Sequence, residues 1–155
     1  MRLWHEDLLN VLPAKQLLSQ HRECCALRGK GWGRPHSTVD YVFTYPKERL
    51  VFYHWRLMLE LENRGYVPDV VWYNPGYQGK KLPTLINVVI GADSIKRPVY
   101  PEHDKLYLIE CLKNLIAKLT IKFDKYLKLY TASDKRTVQA YLDRTRLIEI
   151  LNKNT

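Results

Sequence analysis

Two stretches of the chain repeat large apolar residues every third or fourth position, and they restrict the fold more than any other feature. Leu50, Tyr53, Leu57, Met58 and Leu61 recur between Pro46 and Arg64. Leu108, Cys111, Leu112, Leu115 and Leu119 recur after Pro101-Glu102-His103-Asp104. At 3.6 residues per turn each set lines one face of a helix that must be buried. The whole reads as all-α: a compact single domain over 1–155, built from three to five helices with long irregular loops.

Taken in order, Leu8, Leu9, Val11 and Leu12 suit one helical turn that anchors the amino-terminal segment. Pro13 suits the first turn of a helix, where its missing N–H costs nothing. That helix is expected to run to about Leu27 and to stop at Gly29 in a left-handed cap. On its wheel Leu17, Leu18, His21, Cys24, Cys25 and Arg28 fall on one side, and Ser19, Arg22, Glu23 and Ala26 on the other. Glu23 is therefore expected to look away from the core with an arginine beside it. Thr38–Tyr45 is extended or leads into the second helix, which Gly65 ends. Residues 66–100 carry Pro and Gly turn signals throughout and read as a long irregular segment, with a short extended piece at Leu85–Ile90. Trp72, Tyr73 and Tyr77 are expected to pin it to the core. A last helix, capped by Ser133 or Asp134, carries Val138, Tyr141, Leu142, Ile148 and Leu151.

Charge points to a partner. Lys and Arg number 25 against 16 Asp and Glu, a net charge of +9, and a basic surface favours a polyanion, of which nucleic acid is the commonest. Lys118, Lys122, Lys125 and Lys128, interleaved with Phe123, Tyr126 and Tyr130, suit backbone contact plus base stacking. Three cysteines, Cys24, Cys25 and Cys111, make no disulfide framework and sit at apolar helix positions as reduced core residues. No apolar run is long enough to span a bilayer, and the first residues lack a secretory pattern. A monomeric cytoplasmic protein associated with the nucleoid is the expectation.

Several chemistries are tested by spacing. Gly29-Lys30-Gly31-Trp32-Gly33-Arg34 matches neither a Walker loop nor a dinucleotide fingerprint; it is a surface loop or a phosphate clamp. His21-Arg22-Glu23 imitates the H-x-E of zinc deaminases, but no later C-x-x-C follows and adjacent cysteines do not readily share one tetrahedral ion. No metal and no cofactor are expected. No cysteine-protease signature flanks Cys24 or Cys25. A third option uses the amino terminus itself. An α-amine titrates near about 7.7–8.0 and a lysine near about 10.4, so at pH 7 the neutral fraction of the former is larger by about a few hundred-fold. Arg2 beside it disfavours protonation further. Such an amine can attack a sugar C1′, expel the base and form an imine, with Glu23 as acid–base group. The same residues are also compatible with an ordinary chain end and a solvated helix glutamate.

Five segments carry a resemblance: Met1-Arg2-Leu3-Trp4-His5-Glu6-Asp7-Leu8-Leu9, Gln16 to Gly29 with His21-Arg22-Glu23-Cys24-Cys25-Ala26-Leu27-Arg28, Thr38-Val39-Asp40-Tyr41-Val42-Phe43, Leu59-Glu60-Leu61-Glu62-Asn63-Arg64-Gly65-Tyr66, and Tyr100-Pro101-Glu102-His103-Asp104. In this order they resemble the pyrimidine-dimer DNA glycosylase and abasic-site lyase family of the phage endonuclease V type, above all its bacterial branch. The resemblance covers about residues 1–130, with the last helix outside it.

It implies a compact all-α fold without cofactor, an α-amine nucleophile at residue one, a helix glutamate as acid–base group, and strand cleavage by β-elimination. Carried over by position, Met1 is the nucleophile, Glu23 the glutamate, and Arg22 the arginine that grips DNA beside the lesion. Arg2 falls on the arginine next to the nucleophile, and Tyr126, Lys128 and Tyr130 on an aromatic–basic segment near the damaged strand. Further candidates for DNA contact are Lys15, Gln16, His21, Arg28, Lys30, Arg34 and His36, with Lys122 and Lys125 in the carboxy-terminal part. Two departures stand out. Arg2 is too large for usual methionine removal, so Met1 itself supplies the amine. Ala26 replaces a second DNA-contacting arginine, for which Arg28 or Arg34 would substitute. The expected substrate is a cyclobutane pyrimidine dimer in duplex DNA; the same chemistry on another damaged or modified base, or a non-catalytic basic DNA-binding module, are the rivals.

Overall fold

The computed structural model describes residues 2–29, 36–92 and 95–155. Four α-helices and three short 3₁₀ turns, with no strand, make up the regular structure among these residues. None of the helices is long and apolar enough to cross a membrane. The chain divides into two compact units, Met1–His103 and Asp104–Thr155.

In the first unit the His5 ring accepts the Asp7 N–H (3.1 Å) and starts a 3₁₀ turn at Glu6–Leu8. Leu3, Trp4, Leu8, Leu9 and Leu12 are buried around it. Helix α1 runs Ala14–Arg28, with Pro13 as the residue just before it. Gly29 closes α1, but not in a left-handed conformation: its φ is −98°. A Cβ at Gly29 would lie 2.8 Å from the backbone oxygen of Gln78. Glycine stands here because a neighbouring strand of chain passes close, not because the backbone needs positive φ.

Helix α2 runs Lys47–Asn63, and every residue of its expected stripe is buried, joined by Val51 and His54. Fully burying a side chain of this size is worth about 1.5–3 kcal/mol. Gly65 follows at φ +87°. Its N–H reaches Glu62 O (2.9 Å) while the Tyr66 N–H reaches Leu61 O (3.0 Å), so two orphan carbonyls of the last turn are satisfied in the Schellman pattern. The Arg64 guanidinium donates to Leu12 O (2.6 Å), tying this helix end to the amino-terminal segment.

Beyond α2 the chain is irregular apart from a 3₁₀ turn at Val70–Tyr73, started by the Asp69 carboxylate on the Val71 N–H. No strand forms at 85–90. Leu85 makes one backbone bond, to Gly76 O (2.8 Å), and Ile86 and Val89 stay exposed. Trp72 does pin the segment, lying edge-on to Tyr77 and tilted against the His54 ring.

The second unit is a helical hairpin. Asp104 caps α3, Lys105–Leu129, by accepting the Tyr107 N–H (2.8 Å), and all five inner-face residues expected of it are buried. Asp134 caps α4, Lys135–Asn154, by accepting the Arg136 N–H (2.9 Å). The buried line of α4 is Thr137, Ala140 and Leu147, whereas Val138, Tyr141 and Leu142 are exposed. Small residues at 137 and 140 let α3 approach that line, and the larger apolar residues one position on are rotated 100° away.

Candidate active site

Helix α1 presents Gln20 and Glu23 three residues apart and therefore on one flank. The buried line of the helix is Leu17, Gln20, Cys24, Leu27 and Arg28. This turns the expected wheel: Arg22 is exposed, but Glu23, Ser19 and Ala26 are half-buried rather than open. The cause is the segment from Arg2 to His5, which crosses α1 on that flank. Trp4 donates its N–H to Gln20 Oε1 (2.6 Å), and Gln20 Nε2 donates to Arg2 O (3.1 Å) and to Glu23 Oε2 (2.7 Å). Tyr53 on α2 adds a bond from its hydroxyl to Trp4 O (2.7 Å). The backbone of residues 2–4 and the Glu23 carboxylate thus share one fully buried carboxamide. Arg2 lies with its guanidinium 5.7 Å from the Trp4 ring centre. Arg22 donates to Ser19 Oγ (3.2 Å) at the surface. Met1 lies outside the described residues, as do Lys30 and Arg34.

The same segment is held from its other side by Glu6, which is 2% exposed. Its carboxylate accepts the Val99 N–H (2.5 Å), Arg56 Nη1 (3.3 Å) and Arg97 Nε (3.3 Å). The Glu6 N–H donates to His103 Nδ1 (3.2 Å), and the His103 Nε2 side meets the Tyr41 hydroxyl (2.9 Å). Burial pushes the His103 imidazole down to about 3, aided by the neighbouring His5 and Arg56. The Glu6 carboxylate 3.9 Å away does not reverse this, because the Glu6 N–H needs the lone pair on Nδ1.

On the opposite flank of α1 lies a second polar cluster. His21 Nδ1 is 2.8 Å from His54 Nε2, and Cys25 Sγ is 3.9 Å from a nitrogen of each ring. One ligand atom of each of these three residues lies within 4.8 Å of the others, a spacing a metal ion could use. The surroundings oppose it. A guanidinium can only donate, so Arg28 Nη1, 3.0 Å from His54 Nδ1, fixes the lone pair there and the ring proton on Nε2. That proton points at His21 Nδ1. A metal-binding imidazole would need the reverse, a lone pair inward and an acceptor behind. The cluster is therefore a relay of hydrogen bonds. Burial lowers the proton affinity of both imidazoles, most strongly at His54, and pushes the Cys25 thiol up to about 12.

Arg28, an expected DNA contact, is 6% exposed. It donates to Trp72 O (2.7 Å) and Asn74 O (2.8 Å) and lies over the Trp72 ring. Its two terminal nitrogens are thereby used in fastening the 70–74 turn to α1. His21 is half-buried in the relay, Gln16 and His36 are half-buried, and Lys15 is exposed. In the second unit Lys125 and Lys128 are exposed, and Lys122 lies 5.7 Å from the Tyr126 ring centre. Tyr126 and Tyr130 stand 5.7 Å apart, and one face of Tyr130 is covered by the Arg136 guanidinium at 3.4 Å.

Sequence reasoning missed Gln20 and the pairing of His54 with His21. The signal for the first was a carboxamide in line with Leu17, Cys24 and Leu27. Nothing local signalled the second, which joins residues 33 positions apart.

No curated protein and no solved structure matches the chain. Residues 1–74 do match a family model, that of the pyrimidine dimer DNA glycosylases. This segment, which carries Gln20, Glu23 and Tyr53, is similar to the pyrimidine dimer DNA glycosylase family.

Proposed function

We propose that this chain is a bifunctional pyrimidine dimer DNA glycosylase, cutting the glycosidic bond of the damaged nucleotide and then the abasic strand, with the α-amine of Met1 as nucleophile. Its partner is duplex DNA containing cyclobutane pyrimidine dimers, bound by the monomer. In this reading the amine attacks C1′ of the 5′ nucleotide of the dimer and the glycosidic bond breaks. Glu23 assists opening of the sugar ring as the imine forms, and later takes the C2′ proton so that the 3′ phosphate leaves by β-elimination. Arg22, exposed beside Glu23, steadies the charge that develops. Bending of the duplex and displacement of a nucleotide give access, more cheaply where the base is damaged.

The observation that supports this reading is the Gln20 carboxamide, which bonds at once to the carbonyl of residue 2 (3.1 Å) and to the Glu23 carboxylate (2.7 Å). A general acid–base group must lie within hydrogen-bond reach of the reacting atoms, directly or through one water. The test is base release and strand cleavage on duplexes carrying a cyclobutane dimer, an oxidised base or a preformed abasic site, with release from the dimer read after photoreversal, because the cyclobutane ring otherwise keeps the 5′ base joined to its 3′ neighbour. Release and cleavage on the dimer duplex, both lost in Glu23→Gln, are expected. Release without cleavage would reduce the enzyme to a plain glycosylase, and preference for the oxidised duplex would change the substrate.

A further inference from the structure

Gln20 is 0% exposed, and each of its polar atoms is bound. Its orientation is dictated by its partners. The Trp4 N–H only donates, so the amide oxygen must face it; the Arg2 carbonyl only accepts, so the NH2 group must face that. The second amide hydrogen then falls on Glu23 Oε2. A fixed donor against a carboxylate favours the ionised form and selects one rotamer. A buried side chain serving only the core would need no bond to a half-buried carboxylate.

We propose that Gln20 is a positioning residue for the reaction, locking the main chain of residues 2–4 and the Glu23 carboxylate into one geometry. This rests on the reading of Glu23 as acid–base group. It adds that the carboxylate is set by a neighbour on its own helix, one turn earlier. Tyr53 holds the same backbone through Trp4 O (2.7 Å) and donates a longer bond to Gln20 Oε1 (3.2 Å), so removing its hydroxyl disturbs the oxygen end of the carboxamide and leaves the Nε2 bonds to Arg2 O and Glu23 in place.

The experiment measures single-turnover cleavage of abasic duplex DNA against pH, DNA affinity, and Tm, for the full chain and for Gln20→Met, Gln20→Asn and Tyr53→Phe. Methionine keeps the length and removes the donors. Asparagine keeps a polar group in the site but is a methylene too short to serve both partners. Both are expected to lower the rate by about tenfold with DNA affinity unchanged. Both should raise the titration midpoint of the Glu23 side-chain carboxyl, followed by 13C NMR of selectively labelled protein, since a carboxylate without its donor ionises later. Tyr53→Phe should lower Tm and move that midpoint less. A midpoint at the wild-type pH in both Gln20 variants would overturn the proposal, as would a shift in Tyr53→Phe equal to theirs. Wild-type protein that neither releases a base nor cuts abasic DNA would instead remove the proposed function, and the role of Gln20 with it.

Discussion

Replacing Glu6 by Gln tests how firmly the amino-terminal segment is held, and its cost follows from three contacts. The bond from the Val99 N–H is short and buried, and a hydrogen bond to a charged acceptor is worth about 1.5–3 kcal/mol. The Arg56 side chain is 24% exposed and pairs with Glu6 at 3.3 Å; a partly screened pair of this kind adds about 1 kcal/mol. Arg97 is 62% exposed, keeps Asp7 at 2.8 Å, and adds about nothing through Glu6. An amide at position 6 retains one acceptor oxygen but turns an NH2 group toward a guanidinium or an N–H. The expected loss is about 3 kcal/mol, which for a chain of this size lowers Tm by roughly 6–12 °C. Urea unfolding followed by tryptophan fluorescence, set beside differential scanning calorimetry, measures it. The companion Arg97→Ala should cost less than about 0.5 kcal/mol. A Glu6→Gln variant within about 1 kcal/mol of wild type, or an Arg97→Ala variant as damaged as Glu6→Gln, would refute the reasoning.

Three further outcomes are expected. Among the described glycines Gly76→Ala should be the most damaging substitution, because its Cβ would lie 1.9 Å from the Leu85 carbonyl oxygen; Gly65→Ala, in open space at φ +87°, should cost about 1 kcal/mol, and thermal melts rank them. The His103 imidazole, held at about 3 when folded and ordinary (about 6.5) when unfolded, stays neutral while the unfolded chain takes up a proton. Its contribution is present above about pH 6.5 and is lost on acidification toward pH 3, at about 2 kcal/mol between pH 7 and pH 5; urea midpoints should show a flatter dependence in His103→Asn. Arg28→Lys should lower stability by about 2 kcal/mol, since one ammonium cannot serve His54, Trp72 O and Asn74 O together, and should raise proteolytic nicking near residues 70–90. Unchanged nicking would show that Arg28 is not what fastens that segment.

Helical periodicity carried most of the fold. The stripes of α2 and α3 were legible because each depends on one helix burying one face, and the cap Asp134 because it acts within three residues of itself. Gly65 was legible for the same reason, as the end of α2. Gly29 was not, because its constraint comes from Gln78, 49 positions away, and no local signal separates a close approach from a left-handed cap. The aspect of Glu23 was misread by a wheel that knows only one buried side: α1 is covered on two, by α2 and by residues 2–5. Val138, Tyr141 and Leu142 were misleading in the opposite sense, since smaller neighbours took the buried line and left Tyr141 half-exposed against Phe123. At the site, Glu23 and Arg22 could be found through motif resemblance, whereas Gln20 emerged only when a distant backbone N–H and carbonyl came to meet it.

The proposed chemistry depends on the α-amine of Met1 as the reacting group. The most direct measurement is borohydride reduction of the protein on abasic duplex DNA, followed by proteolysis and mass spectrometry of the cross-linked peptide. A single adduct on the peptide beginning at Met1 is expected, absent when that amine is acetylated and reduced in Glu23→Gln. An adduct on a lysine, or one that survives acetylation of the terminus, would contradict it.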